Sequence, residues 1–180
     1  MIKITGDHGR HLRPQQETIL LAEAREILDG VTNHGANPVR VAFMCLMASH
    51  TSPRMRDNFI ARTSEMKLGN YFHVESVPWG MNPYDLPPNE ETHVINLSKR
   101  LSDFDVILPF APKEGGKIME IHPWISAAVD RIPEHKRPSV IPFIIEDEKD
   151  KSFVDLVDKK DYGKVLEELL VVLKQRITRE

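Results

Sequence analysis

The chain has 180 residues, 41% hydrophobic and 28% charged, a balance that supports a packed core and excludes global disorder. Lys and Arg number 24 against 27 Asp and Glu, so the net charge of −3 makes no electrostatic case for nucleic acid or an anionic membrane. No apolar run approaches the roughly 20 residues that span a bilayer. The single cysteine, Cys45, excludes an intramolecular disulfide and any cysteine-only metal cluster. Met1 to Arg10 is polar and charged where a secretory leader needs an apolar stretch, so the cytoplasm is the expected compartment.

The first predicted element is a helix over 15–29, with Pro14 near its start, Gly30 just past its end, and Ile19, Leu20, Ala24, Ile27 and Leu28 on one face. Val31 to Pro38 reads as a loop, and Val39–Cys45 (VRVAFMC) as a strand. Ser52-Pro53 then signals a helix start, a hydroxyl N-cap followed by proline, for a helix running to about Lys67. Tyr71–Val77 is a second strand, and Pro78–Asn89, rich in proline and carrying Trp79, Gly80 and Tyr84, is a loop suited either to wall a cleft or simply to pack. Asn89 caps a helix to Leu101, Phe104–Phe110 is a third strand, and a helical stretch over 117–130 is interrupted by Pro123. Ser139–Ile145 is a fourth strand, Glu146–Lys151 a solvated charge run, and Tyr162–Thr178 the closing helix.

Strands written as near-continuous apolar runs and alternating with helices predict an α/β fold. The expectation is a four-stranded parallel sheet in spatial order 2-1-3-4, flanked by helices. Residues 1–38 read as an N-terminal extension with one extra helix and 39–180 as the α/β domain. In such sheets ligands sit at the carboxyl ends of strands. The strand ending at Cys45 leads through a short loop into a helix, whose first N–H groups suit an anion and whose dipole favours a thiolate nucleophile. His50 in the loop, and Arg54 and Arg56 in the first helical turn, are candidate cations beside it. Among the other histidines, His8 and His11 lie near a polar terminus with no helix pattern to hold them on one face, and His73, His93 and His122 read as structural, so no metal site and no cofactor are expected.

The segment VAFMCLMASHTSPRMRDNFIA resembles the opening of the low-molecular-weight protein tyrosine phosphatases, an apolar strand followed by Cys-x5-Arg-Ser-Pro and a helix. The resemblance covers residues 39–180, in motif over the first forty and in element order afterwards. It implies Cys45 as nucleophile and Leu46, Met47, Ala48, Ser49, His50, Thr51 and Ser52 as the anion-binding loop. It also implies a general acid after the fourth strand, where Glu146, Asp147 and Asp150 stand and Asp147 is the first choice, although no Asp-Pro pair is present. Two departures matter. Thr51 occupies the place of the family's phosphate-clamping arginine, whose fork of donors a threonine does not reproduce. Met47 and Ala48 replace a glycine and an asparagine suited to a tight nest of amides.

The expected function is therefore a divergent phosphatase-like protein that binds a phosphate-like anion or a phosphorylated ligand through Cys45–Ser52, with hydrolysis weak or lost. Three alternatives stand beside it. One is a working cysteine phosphatase, and another a binding module without anion chemistry. The third is a phosphocysteine carrier similar to the IIB proteins of the sugar phosphotransferase system, which share a Cys-to-Thr-Ser loop. No protein partner can be read from the sequence.

Overall fold

The structure, a computed structural model, describes residues 14–82, 84–114, 117–118, 120–146 and 148–177. Val39–Cys45 forms β1, and all of it except Arg40 is buried. A strand buried on both faces must be flanked by partners. β1 pairs in parallel with β2 (Phe72–Pro78) on one side and β3 (Val106–Glu114) on the other. Its alternating side chains feed two cores. Val41 and Phe43 pack with α1 (Pro14–Thr32), α2 (Thr51–Glu65), α5 (Phe153–Lys159) and α6 (Tyr162–Ile177). Ala42 and Met44 pack with α3 (Glu90–Leu101) and α4 (Pro123–Asp130) on the opposite face. The molecule is thus α/β, with a mainly parallel sheet between two helical layers. Among the described residues no helix is long and apolar enough to cross a membrane.

The strand count differs from the expected four. The fourth apolar run is divided into β5 (Ser139–Val140) and β6 (Phe143–Glu146), both parallel to β3, and a short β4 (Lys117–Ile118) adds an antiparallel partner at the far end of β3. With β5 and β6 taken as one interrupted strand, the sheet has five strands among the described residues, and its parallel members lie in the expected order. The interruption has a simple cause. Val140 opposes Ile107 and Phe143 opposes Phe110, so the register is the same on both sides of the gap. That register sets Pro142 against Pro109, and neither proline has an N–H to give the ladder.

Three local expectations are corrected. Residues 117–118 are strand, and Pro123 opens α4 instead of interrupting a longer helix, with His122 Nδ1 accepting from the Trp124 N–H at 3.2 Å. Helix α2 begins at Thr51 with His50 at its N-cap, so Ser52 lies inside the helix and does not cap it. Helix α5, absent from the sequence reading, is capped by Ser152 Oγ, which accepts from the Asp155 N–H at 3.2 Å. The Asn89 cap is found as expected, its Oδ1 accepting from the Thr92 N–H at 2.8 Å. Helix α1 contributes Ala24 and Leu28 to the larger core, and the Tyr71 hydroxyl donates to Asp29 at 2.6 Å.

Phe43 is fully buried between Phe59 and Phe143, with ring centroids 5.4 and 5.9 Å away. Phe43→Ala is expected to cost about 3–5 kcal/mol, read as a lower urea midpoint with an unchanged slope. At the outer edge, Glu75 takes a hydrogen bond from His73 Nε2 at 2.8 Å and pairs with Arg100 and Arg40. The His73 contact first, then the two guanidinium groups, hold its carboxyl below the ordinary value of 4.5 against the opposing push of burial. A depressed carboxyl stabilises the fold above the ordinary value, and that contribution is lost as pH falls through the folded value. Glu75→Gln should therefore lower the urea midpoint at pH 7 and make the fall in midpoint below pH 4.5 shallower.

Candidate functional site

Cys45 is the last residue of β1, at the carboxyl end of the central strand. The connection from β1 passes to β2 and that from β3 passes to β5, in opposite directions across the sheet, so this end opens at the point where the strand order diverges. Residues 46–50 turn the chain from β1 into α2, whose first residues sit beside the cysteine.

Two amides and a hydroxyl meet at Cys45 Sγ. The Ala48 N–H donates at 3.2 Å, the Ser52 N–H at 3.4 Å, and the Ser52 hydroxyl lies at 3.0 Å. Behind it the Ser52 and Ser76 hydroxyls are 2.7 Å apart. With sulfur as the acceptor the direction of this chain is forced: Ser76 donates to Ser52, and Ser52 donates to Sγ. Ser52 is fully buried and Cys45 is 8% exposed, so the sulfur lies at the base of the loop and not on its rim.

The amide of Ala48 reaches Sγ because its residue adopts φ +51°, in the left-handed region. For an alanine this costs roughly 1–2 kcal/mol, since Cβ crowds the following carbonyl. Ala48 therefore strains the loop, and the side chains beside it do not close it: Met47 is 45% exposed and Leu46 52%. Ser49 and His50 are exposed, and Thr51 opens α2 partly buried. A second loop braces the first. The Trp79 N–H donates to the Cys45 carbonyl at 3.2 Å and the Gly80 N–H to the Leu46 carbonyl at 2.8 Å. A Cβ on Gly80 would lie 2.5 Å from that same carbonyl oxygen, so the approach requires glycine.

The sequence-predicted residues thus divide. Cys45, Ala48 and Ser52 meet at the sulfur. Asp147, and His8 and His11 with it, lie outside the described residues. Glu146 ends β6 on an exposed ion pair with Lys113 at 3.0 Å, and Asp150 lies in an exposed turn. Arg54 and Arg56 are engaged by carboxylates: Arg54 is forked onto Asp158 and Arg56 Nε donates to Asp57 at 2.9 Å. Trp79 stacks on His122 with centroids 6.3 Å apart, while Tyr84 stands almost wholly in solvent, so the two do not form one wall. A cavity of about 490 Å³ lies between residues 85–88 and α3, bordered by Gly80, Asn82, His93 and Arg100 and by none of residues 45–52. Among the described residues no group of three His, Cys, Asp or Glu side chains is placed to hold a metal.

Ser76 and Gly80 were not singled out as site residues from sequence. Ser76 belongs to the site only through the parallel register that sets Cys45 against Pro78. No protein-family model matches the chain, and no curated protein matches it.

Ser52→Ala removes a donor from the sulfur and leaves the Ser76 hydroxyl without its partner. The expected cost is about 1–3 kcal/mol, together with slower alkylation of Cys45 by iodoacetamide at neutral pH. Ser76→Ala breaks only the outer link and should slow alkylation less. Equal rates in both variants and the parent would show that the hydroxyl chain does not tune the sulfur.

Proposed function

We propose that the chain is a divergent relative of the low-molecular-weight protein tyrosine phosphatases, one that binds a phosphate-like anion or a partner carrying one through residues 45–52, with hydrolysis weak or lost. The observation that supports this is the convergence of the Ala48 and Ser52 amides and the Ser52 hydroxyl on Cys45 Sγ, at the carboxyl end of the central parallel strand. It is the arrangement expected of a nucleophile lying beneath an anion nest. A cytoplasmic setting suits an unpaired thiol of this kind.

The reading separates binding from turnover. Backbone amides and the positive end of α2 favour an anion in the ground state. Thr51 lacks the two-pronged cationic contact that strengthens as a phosphoryl group is transferred. Losing one well-placed transition-state donor costs about 100- to 1,000-fold in rate, and losing a charged pair costs at least as much.

Turnover of an aryl phosphate by the unmodified chain should accordingly be slow. Thr51→Arg should raise it, and adding Cys45→Ser should abolish the gain. Brisk hydrolysis by the unmodified chain, lost on Cys45→Ser, would overturn the weak-hydrolysis reading. No gain in Thr51→Arg, with no phosphate binding by either protein, would favour a binding module without anion chemistry.

A further inference from the structure

We infer that Arg54 is the cation that serves the Cys45–Ser52 loop, and that Asp158 holds it in reserve. The inference rests on the anion-binding reading of that loop and names what regulates it. Thr51 leaves the loop without an arginine, and the nearest one in sequence on the same helix face is Arg54, one turn along α2. Side chains on a helix lean toward its N-terminus, which here is the loop. Arg54 does not turn that way in the present conformation. Its Nε donates to Asp158 Oδ1 at 3.0 Å and its Nη2 engages Oδ2, a two-pronged clasp on a carboxylate of α5. Asn58, the next turn along, donates to the same Oδ1 at 3.0 Å and anchors that carboxylate over α2.

The clasp uses the same fork of donors that a phosphate would use. It is also a surface contact, with the Arg54 side chain 52% exposed, so solvent weakens it and leaves room for the side chain to swing. Asp155 and Asp57 add negative charge around Arg54, so the guanidinium sits among carboxylates that compete with any anion for it. Arg56 is no equivalent substitute. Two positions further on, it points to a different side of the helix and pairs with its own neighbour Asp57. An anion in the loop would thus be met by Arg54 only when the Asp158 clasp opens, and whatever moves or neutralises Asp158 would strengthen binding.

The test is titration of the full chain with inorganic phosphate, followed by calorimetry. Asp158→Asn should bind phosphate about ten- to a hundredfold more tightly than the parent, the worth of one charge-assisted contact. Arg54→Gln should bind more weakly than the parent. The double variant Arg54→Gln, Asp158→Asn should lose the gain. All of these side chains are at the surface, and melting curves check that each variant folds. A gain that persists in the double variant would be a plain charge effect and would overturn the inference, as would no gain in Asp158→Asn. Thr51→Arg separates this from the underlying reading. If it binds phosphate while Asp158→Asn shows no gain, the loop reading stands and the Arg54 inference falls. If no protein in the series binds phosphate, the loop reading itself falls and takes the inference with it.

Discussion

Strand β1 is buried on both faces, and most of the molecule follows from that burial. A strand with Val41 and Phe43 on one side and Ala42 and Met44 on the other needs helices above and below it and strands to left and right. Its backbone polar groups are then satisfied by β2 and β3, and its end has only one way out, into the loop that precedes α2. Cys45 is therefore placed by the core. The cysteine terminates an element that the two hydrophobic clusters hold in place, which fixes the geometry of its side chain.

Around the sulfur, polar satisfaction takes over from packing. Two amides and a hydroxyl point at one atom, and keeping them there requires a left-handed alanine and a glycine pressed against a carbonyl. Both features oppose local preference, so the tertiary structure must hold them. The Trp79–Gly80 loop does part of this by bonding to the Cys45 and Leu46 carbonyls, and His93 Nε2 in turn lies 2.7 Å from the Trp79 carbonyl. The loop on Cys45 is thereby tied through Trp79 to α3, and through Ser52 and Ser76 to β2. The strain at Ala48 is carried by contacts that belong to three different elements.

Charge is distributed less favourably for an anion. The loop supplies dipoles without a formal positive charge at Thr51, while Asp57, Asp155 and Asp158 gather around the arginine of the first helical turn. Dipoles suffice to hold a ground-state anion, whereas a transferring phosphoryl group draws on mobile cationic donors. The proposed binding and any hydrolysis would thus draw on different parts of the same small region, the backbone amides for the first and charged side chains for the second.

The elements themselves were legible in the sequence, because periodicity, caps and apolar runs are local signals. The apolar run ending at Cys45, the Asn89 cap and the closing helix stand close to where pattern placed them. The Ser152 cap of α5 was equally local, but the charged residues before it read as a solvated run. Pro142 was visible too, but its effect was not. It interrupts the sheet because the register sets it against Pro109, a pairing between residues more than thirty positions apart. Ser52 was read as a cap because serine before proline favours that role, yet its hydroxyl goes to Cys45 and Ser76 once β2 lies alongside. The sequence by itself determined the α/β class, the strand that ends at Cys45 and the absence of an arginine at position 51. Only the tertiary structure decided that Ser76 and Gly80 complete the loop and that Arg54 turns to Asp158. Those contacts join distant segments, and their partners are chosen by sheet register and helix packing, which no local pattern encodes.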